Sequence, residues 1–193
     1  TLENFVYSGK GSYAYKSVVG NIYNAAIVAN ENLNIVLKGT NSIDANQGDD
    51  STITSCYGIY AIKDLNISDA DGNTSADMLT ISATTVAVYS EEGNLTVKDT
   101  KIEVTKATDG LYSYNGSVSV DNAEISMTDV NTGFNAETTL DVLNNSVINI
   151  TASEFAVYNY NGTVTIENSE FISNKVFNGI PANVNIKNST VEA

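Results

Sequence analysis

The chain contains no arginine, no histidine and no tryptophan, with a single proline at Pro181 and a single cysteine at Cys56. Each absence removes a class of function. Nine lysines against 23 acidic residues give a formal charge of −14. A surface of that sign repels nucleic acid and anionic membrane, because holding a phosphate backbone takes clustered lysine or arginine. One cysteine can form no internal disulfide, and Cys56 reads as a packing or incidental residue. No apolar run approaches the ~18 residues that cross a membrane, and no signal peptide is present. Since the chain opens on Thr1 rather than Met, it reads as a mature or excised piece. Neutral glycans and cations remain as partners, and an acidic polysaccharide would be held only through bridging cations or the few lysines.

What is abundant is Asn, Thr, Ser, Val and Ile, the vocabulary of strands and turns. With 42% hydrophobic residues placed periodically, the chain can bury a core and is not disordered. At 193 residues it fits one domain.

The periodicity is a repeat. Leu95-Thr96-Val97, Val118-Ser119-Val120, Leu140-Asp141-Val142, Val164-Thr165-Ile166 and Val184-Asn185-Ile186 begin 23, 22, 24 and 20 residues apart. Each opens an alternating strand. Two residues past the second apolar position stands Asp99, Asn122, Asn144, Asn168 or Asn188, and three residues later Ile102, Ile125, Val147, Phe171 or Val191. A third apolar position recurs at Val88, Leu111, Phe134, Val157 and Phe177, often behind Gly. Such a period predicts an all-β solenoid, a parallel β-helix of about seven coils with three short strands each. Parallel crossovers are overwhelmingly right-handed, so the helix is expected to be right-handed, roughly 35 Å long at about 4.8 Å per coil.

The single domain, residues 1–193, divides by regularity. Residues 94–191 are the regular coils. Leu33 and Leu65 head two longer coils, whose extra length forms acidic loop insertions at 44–56 and 68–78, expected to lie close together. Residues 1–32 form an irregular first coil or coils, with Phe5–Tyr7 and Ala26–Val28 as the strand fragments. The chain stops just after a second-strand position, so an open coil end is expected to invite end-to-end or dimeric association.

Three features bear on function. The Asn/Asp column, with Asp69 as its candidate start, suits tight turns: Asn tolerates left-handed backbone angles and its amide can bond the copy one coil away. Sequons such as those at Asn66, Asn94 and Asn149 arise by chance in so turn-rich a chain. Secondly, Tyr60, Tyr89, Tyr112 and Tyr158 each follow a third-strand apolar residue, so alternation turns them outward, with Tyr114 and Tyr160 two positions further on the same face. Together they predict an exposed strip of phenol rings, whose apolar faces and hydroxyls suit a sugar chain; tyrosine is also simply favoured on exposed strands. Thirdly, Asp69, Asp71, Asn73 and Asp77 place oxygen ligands around Gly72 as the start of a calcium loop does. Asp49 and Asp50 of the neighbouring insertion could complete the six to eight oxygens, although the lack of a closing Glu and of flanking helices excludes an EF-hand.

An enzyme is not expected. Parallel β-helices include polysaccharide lyases and polygalacturonases, yet the absence of arginine and histidine removes the usual lyase base and the histidine-containing hydrolase motifs. Adjacent Asp49 and Asp50 point in different directions and make a poor pair for glycoside hydrolysis.

Three stretches, Asn32–Ile43, Gly58–Ile67 and Asp77–Ile81, resemble the carbohydrate-binding β-helix domains of clostridial and other Gram-positive cell-surface proteins, a non-catalytic group with a pectate-lyase-like fold. There a Leu-x-Gly-x-Asn segment precedes a Gly-Ile coil and a Leu-Thr-Ile strand. The resemblance covers most of residues 25–135. It implies a secreted or cell-surface bacterial module that binds plant cell-wall polysaccharide of the cellulose or pectin type, with calcium in its acidic loops. The alternative, from a different class, is an adhesin or structural stalk making protein contacts.

Overall fold

Period-two alternation buries only one side of a strand, so a chain of short alternating segments must close them around a shared interior. The computed structural model, which describes residues 1–16, 22–46, 53–72, 77–160, 162–181 and 183–193, does this by coiling. Among the described residues there are 21 strands and no helix. The fold is a parallel β-helix of seven full coils and the first two strands of an eighth.

The first face stacks eight strands in chain order: Leu2–Glu3, Leu33–Lys38, Leu65–Asp69, Leu95–Lys98, Val118–Asp121, Thr139–Leu143, Thr163–Glu167 and Asn183–Lys187. Its register aligns Leu33, Leu65, Leu95, Val118, Leu140, Val164 and Val184. These are the coil heads that the repeat predicts. The second and third faces belong to one 13-stranded sheet. In coils four to six their strands are not separate: Lys101–Ser113, Glu124–Ala136 and Val147–Tyr160 each run around the bend unbroken. Register slips near Val104 and between Met127 and Thr132, with Asp129 at φ 52°, supply the turn.

The described residues before Leu33 join this stack in register, with Leu2 beside Leu37, Val6 beside Ser42 and Ile27 beside Ile59. Their strands are Leu2–Glu3, Val6–Gly9, Ser12–Lys16 and Ile22–Ala29. Ser12–Lys16 runs antiparallel to Ile22–Ala29 and occupies the edge of the third face. A reversed strand there ends the parallel ladder at that edge.

The corner between the first and second faces holds the Asn/Asp column. Asp99, Asn122, Asn144, Asn168 and Asn188 all have φ of 49–54°, as does Asn4 in the first coil, while Gly39 takes φ 67° in the second. Asp69 does not share this angle; Gly72, at φ 79°, takes the left-handed turn in the lengthened third coil. Inside the corner, Ser146, Ser169 and Ser189 donate their hydroxyls to the carbonyls of Leu143, Glu167 and Lys187. The same three oxygens also accept backbone N–H groups, from Asn122, Asn144 and Asn168 respectively, so each carbonyl at the corner serves two donors.

Val147 departs from the expected pattern. It lies beside Glu124 and Glu170 on the outer side, and its successor Ile148 is fully buried in line with Ile125 and Phe171. The sixth coil carries one extra turn residue, Asn145, also at positive φ (65°). A one-residue slip flips every following side chain to the other side.

The core is a continuous column of Leu, Ile, Val and Phe running the length of the helix, each fully buried side chain contributing about 1.5–3 kcal/mol. At the last described rung the inward positions Val184 and Ile186 are about half exposed.

The two insertions leave from opposite edges of the second face. The first departs after Ala45 and the second enters at Met78, while Ala45 lies beside Ala83 and Thr40 beside Met78. Their stems are thus separated by a six-residue strand, roughly 17 Å, while residues 47–52 and 73–76 of the loops themselves lie outside the described residues. The wide separation follows from the loops replacing different corners of the coil.

Candidate functional site

On the third face Ile59, Val88, Leu111, Phe134 and Val157 point inward and are fully buried. The next residue of each strand points outward, and the register stacks Tyr60, Tyr89, Tyr112, Asn135, Tyr158 and Asn178 in one line. Direction is as expected, but exposure is not. Tyr60 is 4% and Tyr89 9% exposed, Tyr112 is half-buried, and of the six tyrosines expected in the exposed strip only Tyr114, Tyr158 and Tyr160 are exposed.

The reason is a ring that alternation assigns to the wrong side. Tyr57 is two residues before inward-facing Ile59, so strict period two turns it inside. The strand switches sides at Gly58, where a Cβ would meet Ile81 and the Ala87 carbonyl, and Tyr57 joins the outer cluster instead. Its ring centroid lies 5.4 Å from that of Tyr60 and 5.2 Å from that of Tyr89. Tyr60 and Tyr89 are 5.3 Å apart, as are Tyr89 and Tyr112. Tyr23 and Tyr114 extend the cluster at 6.1 Å on either side. The Gly that recurs before the third apolar position is the sequence signal for this switch, since Gly within a strand marks a bulge or a close approach.

Between these rings lies a groove of about 240 Å³, lined by Tyr23, Tyr57, Tyr60, Tyr89, Glu91 and Tyr114. Tyr60 donates its hydroxyl to Glu91 Oε2. Burial is the first cause raising the phenols of Tyr57 and Tyr89 far above their ordinary value and that of Tyr112 to about 12. At neutral pH these phenols are therefore hydroxyl donors. Beside the groove the carboxyl of Asp109 is pushed up, first by burial, against the lowering effect of its hydrogen bonds with Asn135 and Thr132. Among the described residues Glu91 is the one carboxylate in the lining, and no lysine joins it. With Tyr57, Tyr60 and Tyr89 largely covered by one another, such a lining offers the exposed ring of Tyr114, neutral hydroxyls and one carboxylate acceptor.

The acidic corner collects three of the six residues assigned to a metal. Asp69, Asp71 and Asp77 each bring one carboxylate oxygen within 4.8 Å of the others. Asp49, Asp50 and Asn73 lie outside the described residues. Asp69 Oδ1 accepts the N–H groups of Asp71, at 2.9 Å, and of Gly72. Asp77 Oδ1 accepts the N–H of Gly39 at 2.5 Å. This corner and the tyrosine groove are on different parts of the coil, one between the first and second faces and the other on the third.

No helix among the described residues is long and apolar enough to cross a membrane. No family model, no curated protein and no solved structure matches the chain. The resemblance to carbohydrate-binding β-helix domains therefore rests on the sequence motifs alone.

Proposed function

We propose that the chain is a non-catalytic, secreted or cell-surface module that binds a neutral polysaccharide of the plant cell-wall type. The observation that carries this is the tyrosine-walled groove with Glu91 at its edge. Aromatic rings present apolar faces to sugar C–H groups, while phenol hydroxyls and a carboxylate hydrogen-bond sugar hydroxyls. With an acid and no lysine in the lining, a cellulose- or xylan-type chain fits better than a uronate-rich pectin, whose carboxylates Glu91 would repel. Exposed Tyr158 and Tyr160 continue the same face and provide a further contact for a long chain. Lining by one carboxylate also argues against glycoside hydrolysis, which requires two at a defined separation.

Affinity electrophoresis through soluble cellulose derivatives, xylan and pectate tests the assignment. Retardation by a neutral glycan is expected. Replacing half-exposed Tyr114 by alanine should weaken it roughly three- to tenfold, the value of one aromatic contact. Unretarded migration through every neutral glycan would remove the proposal.

A further inference from the structure

Burying a carboxylate is costly unless each oxygen finds a partner. Two acids of the second insertion are buried: Asp69 is 8% exposed and Asp77 is 7%. Even Asp44, exposed at the other insertion stem, has donors on both oxygens. Ser82 donates to one oxygen, and Ser8 and Asn46 donate to the other. Those bonds, Ser82's foremost, hold the Asp44 carboxyl below its usual range.

Asp69 has no such arrangement. Its Oδ1 takes two backbone N–H groups, but its Oδ2 is shut off from water and has no donor among the described residues. An orphaned acceptor of this kind is rare in a folded protein. Here it belongs to a carboxylate that has two others beside it, with one oxygen of each within 4.8 Å of the rest. Opposite ligands around calcium, bonded at 2.3–2.6 Å, stand about 5 Å apart, so the spacing suits a single shared ion. Lys38, whose ammonium Asp77 influences, does not fill that role. Lys38 pairs with Glu3 at 2.7 Å, and Glu3 is the first cause raising its pKa while Asp77 is the last.

We infer that Asp69, Asp71 and Asp77 bind one divalent cation of the calcium class, with Asp69 Oδ2 as its innermost ligand. Hard oxygen donors without sulfur or imidazole select calcium or magnesium over zinc and copper. Exposed Asp71 leaves the outer side of the ion open to water, which completes the sphere. The three ligands come from both ends of the insertion, Asp69 and Asp71 from its start and Asp77 from its return. A cation between them ties the loop shut across the corner, where the fourth, fifth and seventh coils need only an Asp or Asn turn. It is independent of glycan binding, which uses the third face.

The test uses the full chain stripped by chelator, then titrated with calcium chloride and followed by calorimetry, with metal analysis after dialysis. One calcium per chain is expected, together with a Tm rise of roughly 5–10 °C when calcium exceeds Kd a hundredfold. Asp71→Asn removes a ligand charge at an exposed position, so the fold is retained and Kd should weaken at least tenfold. Asp129→Asn removes the same charge from a distant exposed turn and should leave Kd unchanged. The inference is overturned if the parent takes up no calcium, if Asp71→Asn binds as the parent does, or if Asp129→Asn weakens binding equally, which would mean diffuse attraction to an acidic surface. Glycan retardation measured on Asp71→Asn separates the two sites, since its loss of calcium should leave that retardation intact.

Discussion

Asn122 donates its side-chain amide to Asp99 at 2.8 Å across one rung, and both residues hold a left-handed backbone with φ near 50°. The same side chain therefore does two jobs, permitting the corner and joining adjacent coils. Asn188 and Asn168 repeat the pair at 3.2 Å. Replacing Asn122 by alanine keeps neither and should cost about 1–2 kcal/mol. Asn122→Gly keeps the backbone freedom and should cost half of that or less. Chemical denaturation of the two variants separates the contributions, and equal losses would show that the amide bond alone matters.

The register of the sixth coil can be read by paired truncation. Ile148→Ala removes a fully buried side chain and should cost about 2–5 kcal/mol. Val147→Ala trims an outward one and should stay under about 1 kcal/mol. The reverse order in urea melts would restore the register that the simple consensus suggests.

Gly133 marks where the second face passes into the third. A Cβ there would sit 2.6 Å from the Ala156 carbonyl oxygen and 2.7 Å from Ile150 Cδ1. Since a backbone oxygen must give way, Gly133→Ala should destabilise by about 1–3 kcal/mol. A loss below about 0.5 kcal/mol would mean that this corner has slack.

Alkaline pH should act through the tyrosine cluster. In the unfolded chain a phenol ionises near pH 10, whereas burial keeps Tyr57 and Tyr89 neutral well beyond that and raises Tyr112 to about 12. Raised pKa values mean stability that is whole below about pH 10 and lost as pH climbs through 12 and above. The Tm should be level to about pH 9 and then fall steeply. In the Tyr57→Phe, Tyr89→Phe double variant the fall should be shallower; an identical decline would show that these rings do not cause it.

Cys56 is buried, and burial raises its thiol pKa. A thiol reagent at neutral pH should label the native chain only at the rate of unfolding. Prompt stoichiometric labelling would contradict that burial.

Much of this was legible in the amino-acid order because a solenoid repeats its constraints. Apolar heads such as Leu95 and Val118 had to align for the first face to close, and the Asn column had to occupy turns. What escaped were single-residue breaks in the repeat. Asn145 shifts Val147 outward, and Gly58 turns Tyr57 outward, so the rings of Tyr60 and Tyr89 are covered rather than displayed. The corners from which the two insertions spring also escaped, because similar composition does not reveal which corner a loop replaces. Asp69, Asp71 and Asp77 could be grouped from spacing alone, but the unpartnered oxygen of Asp69 depends on the packing of the corner.

The strands of every coil lie across the long axis, so the hydrogen bonds between rungs run along it. Tension on the two chain ends would load those bonds one rung after another instead of all together. In a force-extension trace the regular region would open as a series of small steps, each coil of about 22 residues lengthening the tether by roughly 70 Å. A rod of this kind is stiff against compression and yields gradually to pulling.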